Sequence, residues 1–273
     1  MNMHTTSNTA MRAAALALLA LLASAPFARA QIEGKILTTD NQQVAGKIRW
    51  YPAKRVYEIT QVRQGGQSYT SELPPDKVRR IAVPEPAKLK PAIAAVRSGK
   101  ASAAIPVLQE IVKTYAMLEW DEKAARYLAE AQLASGDAAG AAATCEGLIK
   151  AKPSVAYLGE VAPIYWQALL KTGKTAKLGD YITKASAAGD PAASAAALIM
   201  RGDMLMEKKE TLGALKDGYL RVVVLYENVK DIQPEALYKA AKAFDALNQN
   251  ANAERMRTKL RTKYAQSEYA RKL

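Results

Sequence analysis

Histidine and cysteine are almost missing from these 273 residues: each occurs once, as His4 and Cys145. His4 lies in a leader-like stretch, so the processed chain is expected to carry no imidazole. That excludes Ser-His-Asp and Cys-His catalysis and the usual imidazole metal sites. One cysteine excludes an intrachain disulfide, which leaves a buried small apolar residue or an intermolecular bridge as its roles. Long apolar runs are equally scarce. The longest, 13–25, is short of the ~20 residues a membrane-spanning helix needs. No Ser-x-x-Lys acyl-transfer signature occurs, and the acids never take the spacing of an EF-hand. An enzyme, a cofactor and a metal are therefore not expected.

The leader has three parts. Arg12 is its positive flank, 13–25 its apolar centre, and Ala28-Arg29-Ala30 its small-x-small cleavage pattern before Gln31. Residues 1–30 read as a cleaved secretory signal. No cysteine follows the cut to carry lipid, and no twin arginine precedes it. The mature protein is expected to be periplasmic or otherwise exported. The formal charge of +13 falls by Arg12 and Arg29 to +11 on processing. A basic exported chain is drawn to anionic lipid or wall polymer. Nucleic acid is not an expected partner outside the cytoplasm.

Residues 31–83 read as strands at 32–37, 43–51, 56–62, 67–73 and 78–83, rich in β-branched and aromatic residues. Asp40-Asn41 and Gly65-Gly66 fall between runs, where hairpin turns want residues tolerant of positive φ. A closed five-stranded barrel or a strongly curved sheet fits this order, which resembles small SH3-like or Sm-like barrels. Pro84-Glu85-Pro86 then forms a stiff linker, which sets a β-module at 31–86 apart from 87–273.

From residue 87 the pattern turns to alanine-rich helices. Gly99, Gly136, Gly173, Lys209 and Asn248 each close a short turn, at intervals of 37, 37, 36 and 39 residues. Five residues after each turn stand Ala104, Ala141, Leu178, Ala214 and Ala253. Such a period marks a helical-hairpin solenoid, here of about five hairpins. In the second, Ala125, Leu128 and Ala129 share one helical face, and Ala141, Cys145 and Leu148 share the face of the return helix. Pro153 ends it. Small residues suit close helix approach and large ones fill the gap to the next hairpin. This resembles the tetratricopeptide repeat. The last hairpin, with Leu237, Ala240, Ala241, Phe244, Ala253 and Leu260, resembles it too. The first and third depart from the pattern at Pro91 and Trp166.

The close Tyr264-Ala265-Gln266-Ser267-Glu268-Tyr269-Ala270 is similar to that of two exported repeat families. One is the Tol–Pal-associated coordinator of cell division and the other the outer-membrane-assembly lipoprotein. This chain lacks the coiled coil of the first and the lipidated cysteine of the second. The resemblance implies a mainly α, helical-hairpin fold and an adaptor that binds envelope proteins, with no specific partner or oligomeric state.

In tetratricopeptide arrays the first helix of each hairpin lines the concave groove. By that resemblance the partner-binding positions are Arg97, Arg126, Glu130, Gln167, Lys171, Asp203, Tyr238 and Lys242. Glu130 stands where a carboxylate-clamping member would need asparagine. On the last helix, Arg255, Arg257, Lys259, Arg261 and Lys263 form either a solvated cap or an anionic-surface contact. Gly173-Lys174-Thr175 lacks the earlier glycine and the strand of a phosphate-binding loop. Glu119-Trp120-Asp121-Glu122 fits the start of a helix, where acids are common. A cell-wall or anionic polysaccharide-binding protein acting through the β-module is the alternative reading.

Overall fold

The computed structural model describes residues 31–63 and 65–273. The signal-peptide reading of 1–30 lies outside them. Two compact units result. One holds the described residues up to Pro84 together with Lys113–Leu118; the other holds Glu85–Val112 and Glu119–Leu273.

The first unit is a five-stranded antiparallel sheet: β1 (Ile32–Thr38), β2 (Gln43–Tyr51), β3 (Val56–Val62), β4 (Ser68–Leu73) and β5 (Val78–Ala82). Its order is β4-β3-β2-β1-β5. Asn41, Gly65 and Gly66 take positive φ (65°, 103° and 81°) in the turns. A 3-10 turn, Pro75–Lys77, leads back to β5, which pairs with β1. Among the described residues β4 and β5 do not pair, so the ladder is the open alternative rather than the closed barrel. Registers set Ile48 against Ile32 and Ile59, and Ile36 against Ile81. Such cross-strand apolar pairs fix which face is buried. Arg49 and Glu58 face each other across β2 and β3 and form an ion pair.

The second unit is a tetratricopeptide-like array of five helical hairpins, so the described chain is mainly α. The hairpins are α1 (Leu89–Arg97) with α2 (Ala101–Thr114), α3 (Trp120–Ala134) with α4 (Ala138–Ala151), and α5 (Val161–Lys171) with α6 (Thr175–Ala187). In the fourth, α7 (Pro191–Glu207) returns through α8 (Thr211–Ala214), a π turn (Leu215–Tyr219) and α9 (Leu220–Leu225). The fifth is α10 (Gln233–Ala246) with α11 (Asn250–Lys263).

The periodic turn residues share one local structure. Gly99, Gly136, Gly173, Lys209 and Asn248 have φ of 79°, 83°, 71°, 62° and 57°. Each donates its amide to the carbonyl three residues back, and its successor donates to the carbonyl five back. In the second hairpin these bonds are Gly136 N to Leu133 O (3.1 Å) and Asp137 N to Gln132 O (2.8 Å). That is the Schellman close, which satisfies the carbonyls a helix end leaves unpaired. The residues five positions on, Ala104, Ala141, Leu178, Ala214 and Ala253, are all buried. Asp137 and Asp190 cap the following helices through their carboxylates, and Pro191 occupies the first turn of α7.

Trp166, large where the repeat pattern is small, is fully buried. Its indole Nε1 donates to the Ala156 carbonyl at 2.8 Å, in the 3-10 turn Pro153–Ala156. Cys145 is also buried, and burial pushes its thiol up to about 12. It therefore behaves as a small apolar residue. Two hydrophobic clusters lie in the array, one from α3 to α7 and one from α7 to α11. Both draw on α7: Ala193, Ala197 and Met200 serve the first, Ala195 and Ile199 the second.

Candidate functional site

Successive first helices touch, α1 with α3, α3 with α5, and α5 with α7. Lys239 on α10 pairs with Asp203 on α7, and all eight candidate residues lie on these five first helices. At one end Tyr127 is buried between two guanidinium groups. Arg126 lies 4.7 Å and Arg97 5.6 Å from its ring centroid, and Arg97 Nη2 donates to the Tyr127 hydroxyl at 2.8 Å. Arg126 also pairs with Glu160 at 2.9 Å, yet its Nε is buried and has no hydrogen-bond partner among the described residues. A cleft beside this stack is lined by Lys90, Ile93, Arg97, Lys123 and Tyr127. Glu130 sits one turn along α3. Its carboxyl is raised, first by burial, against the pull of Arg126 and with a push from the charge of Glu268.

At the other end Asp203 accepts from Tyr219 Oη (2.8 Å) and from Lys239 Nζ (2.6 Å), and Lys239 also reaches Glu235 at 2.7 Å. Burial raises the Asp203 carboxyl in spite of Lys239. Burial would lower Lys239, but the charges of Glu235 and Asp203 outweigh it and hold the ammonium charged. Burial, then Asp203, drives Tyr219 well above the usual phenol range. Asp203 is thus the centre of an internal network. Tyr238 is engaged as well: its ring packs at a 44° tilt against Tyr269 with centroids 5.6 Å apart, while Lys242 Nζ lies 5.7 Å from the Tyr238 centroid.

Gln167 is half-buried and Lys171 exposed on α5. Among the described residues no hydrogen bond or ion pair joins either to the rest of the set. Sequence reasoning did not single out Tyr127, Glu235 or Lys239, nor Tyr219 and Tyr269 as neighbours of these residues. The i, i+4 spacing of Glu235 and Lys239 was the available signal for one of them.

The basic helix α11 buries Leu260 and carries its charges around the remaining surface. Arg257 pairs with Asp245 and Glu254, Arg261 with Glu254, and Lys259 and Lys263 with Glu227. Among the described residues Arg255 makes no ion pair. The acids Asp121 and Glu122 lie in the first turn of α3, and Gly173-Lys174-Thr175 joins α5 to α6. No group of three His, Cys, Asp or Glu poised for a metal occurs among the described residues. No helix among them is long and apolar enough to cross a membrane.

No protein-family model matches the chain, and no curated protein matches it. Solved structures similar to it include a putative kinesin light chain of Podosopora anserina with nearly identical TPR-like repeats. That protein is 14% identical, over 67% of this chain and 95% of its own, with a TM-score of 0.44. A substituted form of it is 16% identical, over 66% and 96%, with a TM-score of 0.45. MamA of AMB-1 is 14% identical, over 69% of this chain and 100% of its own, with a TM-score of 0.39. At these identities and TM-scores the likeness carries no activity or partner across.

Proposed function

We propose that the protein is a non-enzymatic scaffold that holds a protein partner in the cell envelope. In this reading residues 1–30 are its export signal, 31–86 a β-module, and 87–273 the array that engages the partner through its inner face. The observation that supports it best is the state of Arg126. Its guanidinium is braced on the Tyr127 ring and half-buried, with one buried N–H left without an acceptor. A buried donor without an acceptor costs free energy that a carboxylate or carbonyl from a docked segment would recover. Arg97, Glu130, Asp203, Tyr238 and Lys242 extend the same face, and its mixed charge suits a peptide or helix.

Four of the five basic positions of α11 are already compensated by acids. Attraction of that helix to an anionic layer is therefore expected to be modest and to vanish at high salt. The test is affinity capture of the chain crosslinked in its native envelope, beside an Arg126→Ala, Tyr238→Ala double variant. One or two envelope proteins recovered with the parent and lost with the variant support the scaffold. Unchanged capture by the variant refutes the inner face as the docking surface. Recovery of glycan or lipid alone moves the function to the β-module.

A further inference from the structure

The sheet of the first unit has two open edges, β4 and β5, and they are built differently. β5 carries devices that keep an edge from pairing. Arg79 and Arg80 are exposed on it, its register against β1 shifts at Leu37/Thr38, and Pro75 and Pro84 stand on either side. β4 carries none of these. Ser68–Leu73 holds no lysine, arginine or proline, its register against β3 is unbroken, and its charged residue, Glu72, is paired with Lys54. The backbone groups of β4 alternate in direction. Arg63 N donates to Gln67 O at 2.9 Å, and the Ser71 hydroxyl reaches the Ile59 carbonyl at 3.5 Å. Residues 63 and 67, and likewise Ile59 and Ser71, are therefore bonded pairs, which alternate with unbonded ones along an antiparallel ladder. Tyr69, Ser71 and Leu73 turn their amides and carbonyls to β3, and Ser68, Thr70 and Glu72 turn theirs outward. Among the described residues no hydrogen bond meets these outward groups.

We propose that β4 pairs antiparallel with β4 of a second copy, about a two-fold axis through Thr70, and so joins two chains through their β-modules. The strand is complementary to itself in that arrangement. Thr70 meets Thr70 and Ser68 meets Glu72, so each outward amide finds an outward carbonyl. Glu72 never faces its own counterpart, and the Ser68 hydroxyl can donate to its carboxylate instead. The β5 edge fails the same test, because two copies of it would bring Arg79 and Arg80 against their counterparts. Exposed Tyr69 gives the second reason. Its ring lies on the face of buried Tyr57 and Ile59, with the Arg63 guanidinium 4.6 Å from its centroid. Pairing about Thr70 sets it opposite Ser71 of the copy and diagonal to Tyr69 and Leu73, within reach of an aromatic ring. An isologous pairing of this kind closes on itself and takes up no third copy. Its consequence is two repeat arrays on one assembly, which raises the avidity for a partner with two docking segments. The pairing itself does not depend on which surface of the array a partner uses.

Sedimentation equilibrium of the full chain over a concentration series tests this, beside Thr70→Pro and Thr70→Lys. Proline at an outward edge position removes a free amide and no ladder bond, so the sheet should stay intact. A reversible dimer is expected, and each variant should raise its dissociation constant at least tenfold. High salt should recover part of the Thr70→Lys loss, since two ammonium groups would meet on the axis, and none of the Thr70→Pro loss. In a Cys145→Ala background, Thr70→Cys should form an intermolecular disulfide under mild oxidation. Bonded pairs stand about 5.5 Å apart at Cα, inside the span of about 4.4–6.8 Å that a disulfide bridges. Arg80→Cys, on the other edge, should not form one. A monomer at every concentration overturns the proposal and leaves the edge to a strand of another protein. A dimer that keeps its dissociation constant in both variants, or that bridges Arg80→Cys rather than Thr70→Cys, overturns it as well. Should Thr70→Pro fail to fold, Thr70→Lys, which keeps the amide, and the disulfide decide. Each of these outcomes leaves the scaffold reading standing, because that reading fails only if partner capture survives Arg126→Ala, Tyr238→Ala.

Discussion

Alanine in place of Gly218 is expected to weaken the array, although alanine favours helices. Gly218 lies in the π turn, where the return segment of the fourth hairpin crosses α7. A Cβ built on it would stand 2.7 Å from Gly202 Cα, 2.9 Å from Gly202 N and 3.0 Å from the Leu198 carbonyl oxygen. These are backbone atoms, so no rotamer change relieves the overlap. Carbon atoms prefer about 3.5–4.0 Å, so the two segments must part by roughly 1 Å. Overpacking of this kind costs about 1–3 kcal/mol, and the helix preference of alanine returns about 0.5–1. The net loss is between about 0 and 2.5 kcal/mol, centred slightly above 1, or roughly 2–5 °C in Tm at the centre for a chain of this size. Gly147→Ala and Gly179→Ala are the controls, since neither would meet any atom within 4 Å. Both should gain about 0.5–1 kcal/mol from helix preference alone. Thermal melts followed by circular dichroism at 222 nm compare the three. Gly218→Ala melting at or above the parent temperature would refute the close-approach argument.

Gly136→Ala should cost about 1 kcal/mol, because its surroundings are open and only its φ of 83° resists the change; a chemical-denaturation midpoint that stays put contradicts this. Lys239→Met removes the cation beside half-buried Asp203 and should cost about 1–2 kcal/mol at neutral pH, less than a fully buried pair would. The Asp203 carboxyl is raised in the fold, so the folded state holds the proton more tightly than the unfolded one. The deficit should therefore shrink as pH falls through the folded value and is complete above it; denaturation at pH 7 and at pH 4 shows whether it does. Cys145, with its thiol pushed up to about 12, should resist iodoacetamide at pH 8 in the native chain and react once the chain is unfolded; mass spectrometry reads the difference.

Much of this architecture was legible in the residues because single positions impose it. The five turn residues all take positive φ, and the residues five positions on are all buried, so turn chemistry alone set the hairpin phase. Strands were legible through β-branched runs bounded by Asn and Gly. The π turn was not, since an extra residue in a helical ladder leaves no compositional trace; only Gly202 and Gly218, far apart in sequence, reveal it once they meet. Spatial pairing also decides the environment of the candidate residues. Asp203 and Tyr238 were legible as polar positions on first helices, but Tyr219, Lys239 and Tyr269 reach them from other segments. The basic stripe of α11 was visible, whereas the acids that offset it come partly from Glu227 and Asp245 on earlier elements.

Helix α7 has a consequence for how the array comes apart. Alternate alanines on its two sides serve as walls for both hydrophobic clusters. In a linear chain of repeats, cooperativity depends on the coupling across each boundary. Here the boundary is a single shared helix. Losing the C-terminal cluster strips one wall of α7 and weakens the support it gives to the other cluster, so the two halves are tied into one melting event. The same helix is the natural place for evolution to loosen that tie, since one enlarged alanine on one side would let the halves melt separately without altering either inner surface.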